Sequence, residues 1–185
     1  ADTIEEAYAR WEKFADGEFE RMRANEEEIN RHFIDIYGLG DEMTPEVSDD
    51  DITISRADRD RDVRSFISYA VGCIFGRYSL DVDGLAYAGG EFEWDKYETV
   101  IPDTDNIIPV LDDAYFPNDV VRRFTEFVGA CFGKKHLDEN LDWIAETLGK
   151  RSGETAADTI RRYFINDFYR DHTQTYKKRP IYWMF

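Results

Sequence analysis

Cysteine is scarce here. Cys73 and Cys131 are the two in the chain, each in an apolar stretch with no second ligand at metal-binding spacing. They read as small buried hydrophobes, a usage that suits a reducing compartment and leads us to expect a cytoplasmic protein. His32, His136 and His172 are scattered, with no i, i+4 pairing to hold a metal. We expect His32, near an apolar seam, to be structural and the other two to lie at the surface. No apolar run approaches the roughly 20 residues that span a bilayer, so no membrane partner is expected. The charged N-terminus lacks the apolar core of a signal peptide. Also missing are a P-loop, a GxGxxG string and a Ser-centred nucleophile elbow. Three partial matches are set aside. "DVDG" at Asp81–Gly84 has its glycine too early for a calcium loop. Pro102-Asp103 lacks the downstream Asp/Glu-x-Lys of nuclease cores, and the Asp49–Asp51 run reads as a solvated acidic loop. No catalytic residue, metal ligand or cofactor-binding residue is expected in this chain.

Acid and aromatic residues are what the chain has in quantity. Aromatics make up 15% of it, enough for a real core and too many for a disordered chain. The net charge is −17, unevenly spread: residues 161–185 carry +4, so the rest carries −21. Such a body repels phosphate over most of its surface and is able to meet nucleic acid only at its basic end.

The periodicity predicts a mainly α fold with a long N-terminal helix, a long irregular central loop and little β. Residues 2–37 form one helix unless Asp16-Gly17 breaks it, with Tyr8, Ala15, Met22, Ile29 and Ile36 on a seven-residue seam. Gly38 and Gly40 end it. An acidic connector fills 41–57, where "ITIS" offers a short extended piece. A helix follows over 58–78, and Gly72 and Gly76 would allow a close crossing. The stretch from 80 to 113 is irregular, with room for one short strand. Further helices run from Asn118 or Asp119 to Phe132, from Asp138 to Leu148, and from Thr155 to Tyr176. In the last, Ile160, Tyr163, Phe164, Phe168 and Tyr169 share the apolar face.

The chain closes on "YKKRPIYWMF". Lys177, Lys178 and Arg179 stand beside Tyr176, Tyr182 and Trp183, and Arg170 lies a turn or two earlier. Cations interleaved with aromatics suit phosphate contact and base stacking, so these seven are the candidate DNA-binding residues. The alternative is a solvated helix end followed by a buried strand. Arg122-Arg123 and Arg161-Arg162 are further candidate phosphate contacts. An apolar terminus after Pro180 is unlike the usual polar one, and we expect the piece to be cut from something longer.

Five strings carry a resemblance: "EEEINRHFIDIYGLGDEMTPEV", "SFISYAVGCIFGRYSLD", "GLAYAGGEF", "DNIIPVLDDAYFPNDVVRRF" and "KKRPIYWMF". In this order, from about Asn25 onward, they resemble large adenine-specific DNA methyltransferases of the type IIG restriction-modification kind, in particular those of BREX type 1 phage-exclusion systems. Residues 1–24 match only as generic helix. The resemblance implies three segments: a long helix at 1–40, a helical spacer at 41–179, and the start of a target-recognition region at 180–185. It implies a parent that binds double-stranded DNA and uses S-adenosylmethionine. The family's F-x-G-x-G-like and Asn-Pro-Pro-Tyr motifs do not occur here, so no catalytic role carries over. The expected partners are the catalytic and target-recognition regions of the same chain and other defence-system proteins. A second reading makes the chain an acidic module that docks a partner of the defence complex.

Overall fold

A computed structural model describes residues 2–176. Among these the fold is all helical: α1 (Ile4–Tyr37), α2 (Arg59–Ile74), α3 (Val120–Phe132), α4 (Leu137–Thr147), α5 (Ala156–Asn166) and α6 (Phe168–Thr175). Neither "ITIS" nor the central stretch forms a strand. The strand expected in "IYWMF" lies outside the described residues. Two compact units emerge. Glu6–Asp58 make one; Arg59 onward, with the first turn of α1, makes the other.

In the first unit α1 runs unbroken through Gly17, so it measures about 50 Å at 1.5 Å per residue. Gly38 ends it in the left-handed conformation at φ +66°. The acidic connector then doubles back along the helix. Asn30 Nδ2 donates to the Pro45 carbonyl (3.3 Å), Arg23 pairs with Asp49 (2.8 Å), and Arg56 reaches Asp16 and Glu20. Arg56 also lies over the Phe19 ring at 4.0 Å. The hydrogen bond from Arg56 holds the Glu20 carboxyl below its ordinary value. The connector hides one flank of α1, where Ala15, Phe19 and Ile34 are buried. The predicted seam is buried only in part, since Ile29 and Ile36 remain 54% and 74% exposed. His32 is exposed rather than structural.

The second unit is a helical bundle. α2 packs on α3, α4 and α6, while α3, α4 and α5 pack on one another and α5 on α6. Its core holds Ile67, Val71 and Ile74 from α2, Phe124 and Phe127 from α3, Ile144 from α4, and Ile160 and Phe164 from α5. Asp119 caps α3 through the N–H groups of Val121 and Arg122. α4 begins at Leu137, a residue before the expected cap, with Asp138 inside its first turn.

α2 stops at Ile74, short of Tyr78. Gly76 explains the stop and has nothing to do with helix crossing. Its φ is +75°, and an added Cβ would meet the Phe92 ring at 2.9 Å. The 75–119 stretch is packed by its own aromatics. Phe92 stacks on Tyr97 at 5.0 Å, and the Tyr97 hydroxyl donates to the Gly76 carbonyl. Asp81, of the "DVDG" string, accepts from the Glu98 and Thr99 N–H groups and from the Thr99 hydroxyl, so it ties this loop together. These bonds, the Thr99 hydroxyl foremost, lower its pKa.

The helix expected over 155–176 is two helices, broken at Asp167. The ladder runs as far as the Asp167 N–H on the Tyr163 carbonyl at 2.9 Å, and Asp167 itself leaves helical geometry at φ −124°. Phe164 and Phe168 both lie in the core, whereas Tyr169, expected on the apolar face, is 53% exposed.

Candidate nucleic-acid interface

The basic end of the chain is reached through α6, whose placement follows from its sequence. Phe168 and His172 sit one turn apart and both are buried. Rings run in series from α5 into α6: Phe164 to Phe168 at 5.1 Å, Phe168 to His172 at 5.2 Å, His172 to Tyr176 at 4.7 Å. Polar bonds lock the same face to α2. His172 Nδ1 meets Ser68 Oγ at 2.8 Å, and Arg64 pairs with both Asp60 and Asp171. The Tyr163 hydroxyl donates to Asp171 at 3.2 Å. Burial lowers the pKa of His172 and, as the largest cause, raises that of Tyr163. His172 is thus a core residue at 4% exposure, not a surface one. The Ser68–His172 pair resembles a nucleophile with its base, but both are closed off from solvent, and no substrate reaches them.

Among the candidate DNA-binding residues, the structure describes Arg170 and Tyr176. Lys177, Lys178, Arg179, Tyr182 and Trp183 lie outside the described residues. Tyr176 is half-buried, and its hydroxyl is 3.3 Å from that of Tyr78, so it serves to anchor the end of α6. Arg170 is exposed but paired with Asp167 at 3.0 Å and Asp171 at 3.3 Å.

The other arginine candidates are all engaged by carboxylates, Arg161 and Arg162 under cover and Arg122 at the exposed surface. Arg161 forks onto both oxygens of Asp119 at 2.8 Å and also donates to the Leu111 carbonyl. Arg162 grips Glu154 at 2.9 Å and the Gly149 carbonyl. These bonds push the Glu154 carboxyl down to about 2. Arg123 bonds Glu126 and the Ile101 carbonyl, and Arg122 pairs with Glu126 as well. Arg123, Arg161 and Arg162 therefore support the fold, whereas Arg122 stays 62% exposed in a surface ion pair. Of the six basic residues counted in 161–185, all three that the structure describes are engaged by carboxylates. The electrostatic reading from sequence counted charges but not their partners.

The described residues contain no group of His, Cys, Asp and Glu able to bind a metal. Burial raises the Cys73 thiol to about 11 and the Cys131 thiol to about 12, leaving both inert as nucleophiles at neutral pH. No described helix is long and apolar enough to cross a membrane. One residue that sequence reasoning passed over is Asn140 of α4. It is fully buried, and its Oδ1 accepts the N–H of Ile4 at 2.8 Å, holding the start of α1. A bond spanning 136 residues leaves no local signal.

Comparison with known proteins supports the resemblance read from the strings. Over 99% of its length the chain is 52% identical to the adenine-specific methyltransferase PglX of Lacticaseibacillus casei (strain Zhang). Over 97% it is 37% identical to the adenine-specific methyltransferase BrxX of Escherichia coli O9:H4 (strain HS). The similarity takes in the N-terminal helix as well, which the strings left aside. The chain spans 15% and 17% of the lengths of these two relatives. No protein-family profile matches it.

Proposed function

We propose that the chain acts as a non-catalytic helical segment of a site-specific adenine-N6 DNA methyltransferase, in the service of restriction-modification or phage defence. The observation that carries this reading is the 52% identity to PglX along 99% of the chain, at only 15% of that relative's length. The absence from the sequence of both motifs the family uses for S-adenosylmethionine and adenine supports it. In this reading residues 1–40 are a long connecting helix, 41–179 a spacer, and 180–185 the entry to the target-recognition region. The parent binds S-adenosylmethionine elsewhere, flips adenine into its catalytic pocket, and works in the cytoplasm on double-stranded DNA. The segment sets the distance between that pocket and the recognition region, and an unbroken 34-residue helix suits such a spacer. Lys177, Lys178 and Arg179 contact phosphate.

Replacing these three by Ala in the full-length methyltransferase tests the reading. Each lost phosphate contact flattens the slope of log K against log[salt] by about 0.9, so we expect a loss of about 2 to 3 in slope with the methylated sequence unchanged. An unchanged slope removes the three from the DNA interface. Adenine methylation by the isolated 185-residue chain would overturn the non-catalytic assignment itself.

A further inference from the structure

Trp11, Phe14, Ile29, Phe33 and Ile36 of α1 are between 46% and 74% exposed, and half-buried Met22 lies among them. Steps of three, four, seven and eight residues put all six on one face of the helix, along about 38 Å at 1.5 Å per residue. The connector covers the neighbouring flank and leaves this face open. Toward its start, Trp11, Phe14 and Met22 border a cavity of about 470 Å³ that Ile54 of the connector also lines. The cavity has room for one or two large apolar side chains. A continuous apolar face with a notch for an anchoring side chain is a docking surface, unlike hydrophobes scattered singly.

Charge and chain length narrow the occupant. Residues 6–58 hold sixteen Asp and Glu against six Lys and Arg. A second copy of this unit, a nucleic acid or an anionic bilayer would meet like charge here. The occupant is therefore a protein surface, apolar and edged with Lys or Arg. The chain spans 15% and 17% of its two relatives. In the reading proposed above, most of the polypeptide thus lies outside residues 1–185, and the covalent link holds it at high local concentration. That reading puts the recognition region after α6 and leaves the catalytic region as the neighbour of α1. We infer that the apolar face of α1 docks the catalytic region of the same polypeptide, with an apolar side chain of that region seated in the notch between Trp11, Phe14 and Met22. The inference rests on that reading. Its failure would leave the non-catalytic assignment standing, because methylation by the isolated chain decides that separately.

The test uses the full-length methyltransferase with p-benzoylphenylalanine in place of Trp11 or, in a second protein, of Phe33. Both positions are exposed, so folding tolerates the larger ring. Irradiation and peptide mass spectrometry then identify what lies on the face. From either position, the cross-link is expected on peptides that precede residue 1. Adding Ile29→Glu, which places a charge in the interface, should lower the yield at least about fivefold. A cross-link to the recognition region would overturn the inference, as would one between copies in a mixture of ¹⁴N and ¹⁵N protein. So would the absence of any cross-link beyond residues 1–185 from both positions, or a yield that Ile29→Glu leaves unchanged.

Discussion

Arginine meets its carboxylates in the open in the first unit, and in the bundle Arg161 meets one under cover. In residues 6–58, Arg23 and Arg56 each serve two or more carboxylates, all in the open: the acidic partners are 46–57% exposed. In the bundle, Arg161 meets an Asp119 side chain that is 2% exposed. Apolar groups divide the same way. Trp11, Phe14, Ile29, Phe33 and Ile36 of α1 stay exposed, whereas the bundle hides Phe124, Phe127, Phe164 and Phe168. One unit rests on a helix's own backbone ladder and on ion pairs that salt screens. The other rests on buried rings, which salt does not weaken. Similar residues therefore contribute very differently, and burial rather than composition decides how much.

The sharpest way to break this contrast is Phe124→Ala. The ring is fully buried and packs edge-on against Phe66 and Phe164. We expect a loss of about 3–5 kcal/mol in denaturant unfolding. A loss below about 1 kcal/mol would mean that the ring cluster does not hold the bundle.

The next effect depends on pH. The folded-state pKa of His172 lies below its ordinary 6.5, because burial disfavours the imidazolium. The unfolded chain then binds the proton more tightly, so the contribution of His172 is complete above about 6.5 and is lost as pH falls toward its folded value. Thermal unfolding from pH 7.5 to 5 should show a decline that His172→Gln flattens. An identical slope in the variant would assign the decline to other groups.

The smallest effect is expected from Ile36→Ala, at 74% exposure on α1. It should change stability by no more than about 0.5 kcal/mol. A cost comparable to that of Phe124→Ala would erase the distinction between the units.

The helices were legible in the sequence wherever apolar residues recur at helical spacing and a cap lies nearby, as with Asp119 ahead of α3. Long-range partners were not. The doubling back of 41–58 along α1 depends on Arg56 finding Glu20 and Arg23 finding Asp49, pairs 36 and 26 residues apart. The break at Asp167 was missed because the apolar spacing runs on through it, while only the backbone of Asp167, at φ −124°, departs from the helix. His172 looked like a surface residue because its neighbours Asp171 and Thr173 are polar. Its ring is buried because Phe168, one turn earlier, carries it inward. Arg161 and Arg162 were legible as charge but not as paired charge, since the carboxylates that occupy them come from other parts of the bundle.

The unbroken ladder of α1 sets a rule for how its length is able to change. Adding one residue near its middle turns everything beyond it by about 100° and lifts it by about 1.5 Å. The buried flank would then face water, and the connector's partners would lose their register. Adding seven residues returns the flank to within about 20° of its starting direction and lengthens the rod by about 10 Å. Related chains should therefore differ in α1 by steps near seven or eleven residues, and a shift of one or two should appear only with a compensating shift nearby.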